Sequence, residues 1–234
     1  MKSTIQDKTK LVNSVFSKVY NKYDLMNDIM SLGIHRIWKN KFIDWMNPSR
    51  NSSLIDVASG TGDIAKLFSL RNKNLSMITC IEPNEEMFKK GKNNLINLKN
   101  IEWIKSRAED LPVKDNMYDF YSISYGIRNV SDINKTLKEA YRVLKPGGRF
   151  MCLEFSKIDN EFLNFLYKNY SKFIPTLGKY FAGSSKPYEY LINSIDDFYN
   201  QEQLLEIITK NGFSNVEYRN LSNGISAIHS GWKI

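Results

Sequence analysis

Residues 54–65 read LIDVASGTGDIA. An apolar run holding one acid, Asp56, gives way to a turn of small residues with Gly60 and Gly62. Asp63 then opens a second apolar-periodic stretch, GDIAKLFSL at 62–70. This is the pattern of a strand, a tight turn and a helix. Glycines let the backbone turn sharply and pass close to a ligand. The stretch lacks the GK[ST] ending of a phosphate loop. Ala65 stands where the GxGxxG dinucleotide fingerprint has its last glycine, so that fingerprint is incomplete. A tight turn that holds no ligand is the plain alternative.

Downstream the same rhythm repeats. SMITCIE (76–82), IEWIKS (101–106), YDFYSISY (118–125) and GRFMCLEF (148–155) read as strands. EEMFKKGKNNLINL (85–98) and DINKTLKEAYRVL (132–144) read as helices, and Pro146 with Gly147 and Gly148 reads as the turn into the fifth strand. Strands separated by crossover helices predict an α/β fold with a mostly parallel sheet and helices on both faces. In such sheets ligands bind at the carboxyl ends of the strands.

Residues 157–194 break the rhythm with Pro175, Gly178, Gly183, Pro187 and nine aromatic residues, which predicts an insertion of short helices over the site. A helix over 196–212, capped by Gly212, and two strands at 213–221 and 225–234 close the chain. On the other side, 11–46 read as a helical extension. Val12, Val15, Phe16 and Val19 form one stripe, and Ile34, Ile37, Trp38, Phe42 and Trp45 form another after Gly33. The expected organisation is one domain: a helical cap (11–46), a ligand-binding core (53–156), an aromatic lid (157–194) and a closing unit (195–234).

Composition narrows the function classes. The 234 residues suit one domain with modest additions. The formal charge of +8 suits a solvated basic face, an anionic membrane surface or nucleic acid. No RNA-binding motif or NPPY-type base-flipping signature is present, so nucleic acid is not an expected partner. Two scattered cysteines, Cys80 and Cys152, and two histidines, His35 and His229, form no disulfide framework or metal cluster, and no metal is expected. The N-terminal lysines have no apolar segment behind them, and no window of 18 residues is apolar enough to span a bilayer. A cytoplasmic location is the default expectation.

Further residues carry chemistry. Glu82 lies 20 residues after Gly62 at the end of the second strand, where an acid accepts both hydroxyls of a ribose. An exposed acid at a helix start is the alternative. Tyr125, Gly126, Arg128 and Asn129 follow the fourth strand, where a substrate would sit. Arg128 beside an apolar strand end calls for an anionic partner, or belongs to a structural ion pair. Glu154 and Ser156 end the fifth strand, at the edge of a pocket.

Several segments together resemble the ubiquinone/menaquinone biosynthesis C-methyltransferase family, within the Rossmann-like class I S-adenosylmethionine-dependent methyltransferases. They are KVYNKYDLMNDIMSLGIHRIWK (18–39), IDVASGTGD (55–63), YGIRNVSDINKTLKEAYRVLKPGGRFMCLEFS (125–156), YSKFIPTLG (170–178), YEYLINSI (188–195) and the ending from 212 to 234. The resemblance runs almost end to end, and the two long signatures are its most specific part.

The resemblance implies a seven-stranded sheet of order 3-2-1-4-5-7-6 with the last strand antiparallel. It implies S-adenosyl-L-methionine as cofactor, with Asp56 and the turn of Ser59, Gly60, Thr61 and Gly62 at its methionine part. Glu82 and Pro83 would lie at the ribose, Arg107, Ala108 and Glu109 near the adenine, and Ser124 would complete the set. Arg107 departs from the Asn or Asp common in the family, leaving the backbone of Ala108 to meet the adenine amino group. Glu82 stands for the usual Asp and keeps its charge.

The implied reaction is methylation of a ring carbon of a polyprenylated quinol precursor: 2-methoxy-6-polyprenyl-1,4-benzoquinol, demethylmenaquinol, or both. Arg128 would stabilise the developing phenolate, Asn129 would orient the ring or a water, and Tyr125 would line the pocket. His35 reads as a packed or capping residue rather than a base. The aromatic lid and the N-terminal helices would channel the isoprenoid tail. Expected partners are the quinol itself, a peripheral membrane surface or a quinone-biosynthesis complex, and a second copy in a homodimer. A methyltransferase for another small molecule, such as a sterol or a hydroxyl acceptor, is the competing reading.

Overall fold

A computed structural model describes residues 17, 28, 29, 31, 33–73, 76–158, 160–182 and 185–234. The stripe at Val12, Val15, Phe16 and Val19 lies outside them.

Seven strands form one sheet in the order β3-β2-β1-β4-β5-β7-β6. They are β1 (Leu54–Val57), β2 (Ile78–Ile81), β3 (Ile101–Ile104), β4 (Tyr118–Ser124), β5 (Leu144–Phe155), β6 (Ser214–Leu221) and β7 (Ser226–Trp232). The pairs β1–β2, β1–β4, β2–β3 and β4–β5 are parallel, and β7 runs antiparallel to both β5 and β6. The order and the single reversed strand are those the resemblance implied.

Every residue of β1 and β2 is buried, as a parallel sheet covered on both faces requires. Side chains alternate between two cores. Leu54, Ile78, Met151 and Leu153 meet α1 (His35–Met46) and α2 (Asp63–Arg71) on one face. Ile55, Ile81, Phe150 and Cys152 meet the helices of the other face, α4 (Ile133–Val143) and α7 (Gln201–Lys210). From α1, Trp38, Phe42, Ile43 and Met46 are all at most 2% exposed. At roughly 1.5–3 kcal/mol per buried large apolar side chain, this face fastens the helix to the sheet. The helix ends at Asn47, whose backbone lies in the left-handed region (φ 46°) and returns its N–H to the Ile43 carbonyl.

Three sequence expectations change. The segment after β5 is not a set of short helices. α5 (Glu161–Ala182) runs for 22 residues with Pro175 inside it. An internal proline removes one backbone hydrogen bond and costs about 3 kcal/mol; the neighbouring Ile174 is fully buried in the core and anchors this stretch of the helix. The Pro146-Gly147-Gly148 turn is a bulge inside β5. The register jumps from Tyr118↔Leu144 to Phe120↔Arg149, and Gly147 donates to the Lys233 carbonyl at 2.7 Å while Lys233 donates to Gly148 at 3.0 Å. The closing helix starts at Gln201, not 196, because Asp196 ends α6 (Lys186–Asp196) and Asn200 forms a capping box with Gln203. The remaining helix, α3 (Glu85–Asn94), begins at the Asn84 cap directly after β2.

Candidate active site at the strand ends

β1 and β4 lie side by side, and both leave the sheet through residues with left-handed backbones, Ala58 (φ 53°) and Tyr125 (φ 55°). Non-glycine residues rarely adopt this conformation, and it concentrates at functional sites. A pocket opens where the two chains diverge. Asp56, Ser59, Gly60, Thr61, Ser124 and Tyr125 line it, as do Lys39 and Asp63.

Asp56 is 1% exposed. Ser122 donates to its Oδ1 at 2.6 Å, while its Oδ2 has no partner among the described residues. Burial pushes its pKa up to about 7, against the Ser122 hydrogen bond; Asp63 adds to the rise and Lys39 opposes it. The Ser124 hydroxyl is also buried without a partner among the described residues. A buried polar atom left unsatisfied costs about 1–3 kcal/mol, so two of them on one pocket mark a place where a ligand supplies the missing hydrogen bonds. Ser59 donates to the Asp56 carbonyl at 2.5 Å and so fixes the turn. Gly60 (φ 56°) lines the pocket, and a Cβ there would meet only the Met87 Cε, at an ordinary 3.9 Å. Gly62 (φ 89°) does not line it: a Cβ there would come within 2.6 Å of Leu95, so this glycine serves helix packing rather than close approach to a ligand.

Glu82 is joined to the turn. It accepts from the Gly60 N–H and the Asn84 N–H, both at 2.9 Å. Burial pushes its pKa up to about 7, against these two amide hydrogen bonds. Each carboxylate oxygen keeps a second lone pair for an outside donor. Pro83 follows and Asn84 caps α3, so strand end, acid and helix start form one rigid corner.

On the other side of Tyr125, Arg128 is buried against Glu154, with Nη1 to Oε1 at 2.5 Å and a second bond to the Tyr125 carbonyl at 2.8 Å. The structural ion pair was one of the two sequence readings, and Glu154 is the anion. Burial raises the Glu154 pKa while the Arg128 charge opposes the rise. The Arg128 guanidinium also sits 5.6 Å from the Phe155 ring centroid. Asn129 accepts a hydrogen bond from the Tyr190 hydroxyl at 3.0 Å, which ties α6 to this loop. The Tyr125 hydroxyl meets Ser226 at 3.3 Å.

Other expectations fall outside the pocket. Arg107 is exposed and bonds Glu109 at 3.1 Å and Ser131 at 2.9 Å. Burial works to raise the Glu109 pKa, but the Ser131 amide and Arg107 hold it below the usual range. Ala108 is buried beside them. His35 is packed as expected, 2% exposed with Nε2 3.0 Å from Asp28. Sequence reasoning missed Lys39, Asp63, Ser122 and Tyr190. Lys39, Asp63 and Tyr190 each stand in a segment that carries the resemblance, Lys39 one helical turn beyond His35, but nothing in those segments singled out their side chains; Ser122 left no signal. Among the described residues no cluster of His, Cys, Asp and Glu could hold a metal.

Comparison with known proteins converges on one class. Solved structures that share the fold include an S-adenosylmethionine-dependent methyltransferase from Thermotoga maritima (TM-score 0.65, 21% identity, 94% of this chain and 99% of that one). A phosphoethanolamine N-methyltransferase from Haemonchus contortus, crystallised with S-adenosyl-L-methionine, aligns with TM-score 0.61 at 13% identity over 84% of this chain and 52% of that one. In sequence, the chain is 51% identical to a ubiquinone/menaquinone biosynthesis C-methyltransferase of Rickettsia akari, over 97% of this chain and 94% of the relative. The protein of the same name from Rickettsia prowazekii is 51% identical over 96% and 93%. The ubiE/COQ5 methyltransferase family profile matches residues 2–233, from the N-terminal signature through the strand-end turn, the buried acids and the reversed last strand, and the chain belongs to that family.

Proposed function

We propose that the protein transfers a methyl group from S-adenosyl-L-methionine to a ring carbon of a polyprenylated quinol precursor in ubiquinone or menaquinone biosynthesis. The carrying observation is the match to the ubiE/COQ5 family across residues 2–233, with relatives of that function half identical over nearly their whole length.

The site fits the cofactor. It offers unmet hydrogen-bonding capacity at Asp56 Oδ2 and Ser124 Oγ, an open glycine turn at Gly60, and an acid, Glu82, one strand away. Asp56, Ser59, Gly60, Thr61 and Ser124 would hold the methionine end, Glu82 and Pro83 the ribose. Arg107, Ala108 and Glu109 would border the adenine. The cofactor supplies an electrophilic methyl; the protein supplies position and electrostatics.

For the acceptor, a phenolic oxygen would release its proton to solvent so that electron density reaches the ring carbon, and that carbon, once methylated, would lose its own hydrogen as a proton to restore the aromatic ring. Arg128, fixed by Glu154 and the Tyr125 carbonyl, would hold positive potential at that oxygen. Its guanidinium stays protonated and cannot itself serve as base. Asn129, set by Tyr190, would orient the ring, and Tyr125 would wall the pocket. Aligning ring and methyl donor accounts for much of the expected rate gain.

Delivery of an isoprenoid substrate favours work at a membrane surface. Phe162, Phe165 and Leu166 are 68%, 63% and 47% exposed on one stripe of α5, at i, i+3 and i+4. No helix of the described residues is long and apolar enough to cross a bilayer.

The test is to incubate the purified protein with methyl-labelled S-adenosylmethionine and, separately, reduced 2-methoxy-6-polyprenyl-1,4-benzoquinol or reduced demethylmenaquinone. Label on a ring carbon of either compound is the expected result and names the pathway. Label on oxygen, or none with the cofactor bound, refutes the proposal.

A further inference from the structure

We propose that Lys39 binds the α-carboxylate of the methyl donor, so that the N-terminal helix reads the amino-acid end of the cofactor. This rests on the S-adenosylmethionine reading of the pocket.

Lys39 is buried, at 6% exposure, on the α1 face that packs on the sheet, and it lines the same pocket as Asp56, Ser59 and Ser124. A lysine is rarely buried without a function or a full set of partners. An ammonium carries three donors. Among the described residues the hydrogen bond of Lys39 goes to Asp63 Oδ2, at 2.6 Å. The Asp63 side chain is itself 42% exposed, so the pair sits at the pocket's mouth rather than in the core. Lys39 therefore keeps donors for an anion entering beside the glycine turn.

The same pocket carries complementary chemistry. Asp56 Oδ2 is a buried acceptor without a donor among the described residues. A free amino-acid group carries one carboxylate and one ammonium on a single carbon. A pocket lined by both a donor-rich cation and an unmet acid matches that pair of charges. Asp63 serves as a positioning residue: it opens α2 and holds the Lys39 side chain against the turn. Electrostatics at the site agree. Burial works to raise the Asp63 pKa, yet Lys39 holds it below the usual carboxylate range.

The experiment compares S-adenosylmethionine with decarboxylated S-adenosylmethionine by titration calorimetry on the full chain. The two compounds share the sulfonium and the amine and differ in the carboxylate. The wild-type protein is expected to favour the carboxylated compound by roughly 10- to 100-fold, the range of a hydrogen bond to a charged group. Lys39→Met is expected to erase that preference by weakening the carboxylated compound alone. Lys39→Gln, which leaves Asp63 a donor, repeats the test should the methionine variant unfold. Equal weakening of both compounds, or an unchanged preference, overturns the lysine assignment. A wild-type protein that binds both compounds equally also overturns it but leaves the cofactor reading standing, whereas one that binds neither overturns both.

Discussion

The two sides of the cleft meet at Tyr125 but balance their charges in opposite ways. On the proposed cofactor side, Asp56 Oδ2 and Ser124 Oγ are buried with no partner among the described residues, and burial pushes both Asp56 and Glu82 up to pKa values of about 7, against their hydrogen bonds. On the acceptor side, Arg128 is closed by Glu154 and the Tyr125 carbonyl, and Asn129 by Tyr190. One side holds buried acids that a ligand would complete; the other holds an ion pair that the protein itself supplies. Perturbing the first should therefore show in cofactor binding, and breaking the ion pair of the second in stability.

The sharpest way to break this contrast is Arg128→Met. It leaves Glu154 as an unpaired buried charge and should cost about 3–5 kcal/mol of stability, read from the denaturant midpoint. Replacing both partners with apolar residues should recover most of that loss. A single variant as stable as the wild type would dissolve the distinction between the two sides. Glu82→Gln should do the reverse. Cofactor affinity should fall by roughly 10- to 100-fold, measured by calorimetry, with a smaller loss of stability than for Arg128→Met, because the amide can accept from just one of the Gly60 and Asn84 N–H groups.

The pH dependence sharpens the same point. In the folded chain Asp56 and Glu82 titrate near 7, above the carboxylate range of about 4. The folded state thus binds more protons than the unfolded state between those values, and cofactor-free stability falls as pH rises through that window. Hydrogen bonds from a cationic ligand favour the ionised acids, so cofactor binding should release protons. Affinity should rise about tenfold per group between roughly pH 6 and 8 and then level off. Proton release is read from calorimetry in buffers of different ionisation heat; proton uptake would contradict the assignment. The smallest effect belongs to Tyr190→Phe, which removes one hydrogen bond worth about 1 kcal/mol. The acceptor's kcat/KM should drop several-fold, with cofactor affinity unchanged. A change in cofactor affinity instead would show that the two sides are not separable.

These asymmetries also explain what could be read beforehand. Asp56, Gly60 and Glu82 stand within one strand-turn-helix-strand stretch, so spacing marked the turn and Glu82 as candidates, while the place of Asp56 at the methionine end came from the family resemblance. Gly60 to Glu82 is a separation of 22 residues across one crossover. Tyr190 reaches Asn129 across 61 residues, and Tyr125 reaches Ser226 across 101, distances over which no local pattern carries information. Lys39 joins Asp63 from a helix whose apolar stripe had already accounted for its neighbours.

The alternation of apolar runs and amphipathic segments determined the parallel sheet and its helical layers, because the periods of strand and helix are written in neighbouring residues. The chain's own pattern also placed the acid-bearing strand ends and the glycine turn. Tertiary structure alone decided that Pro175 lies inside a 22-residue helix, that the Pro146 turn is a bulge held by Lys233, and that Gly62 packs against Leu95 while Gly60 faces the pocket. It alone selected Glu154 as the partner of Arg128. Each of these outcomes depends on which distant side chain fills a space or satisfies a charge, and that is fixed only when the packed core forms.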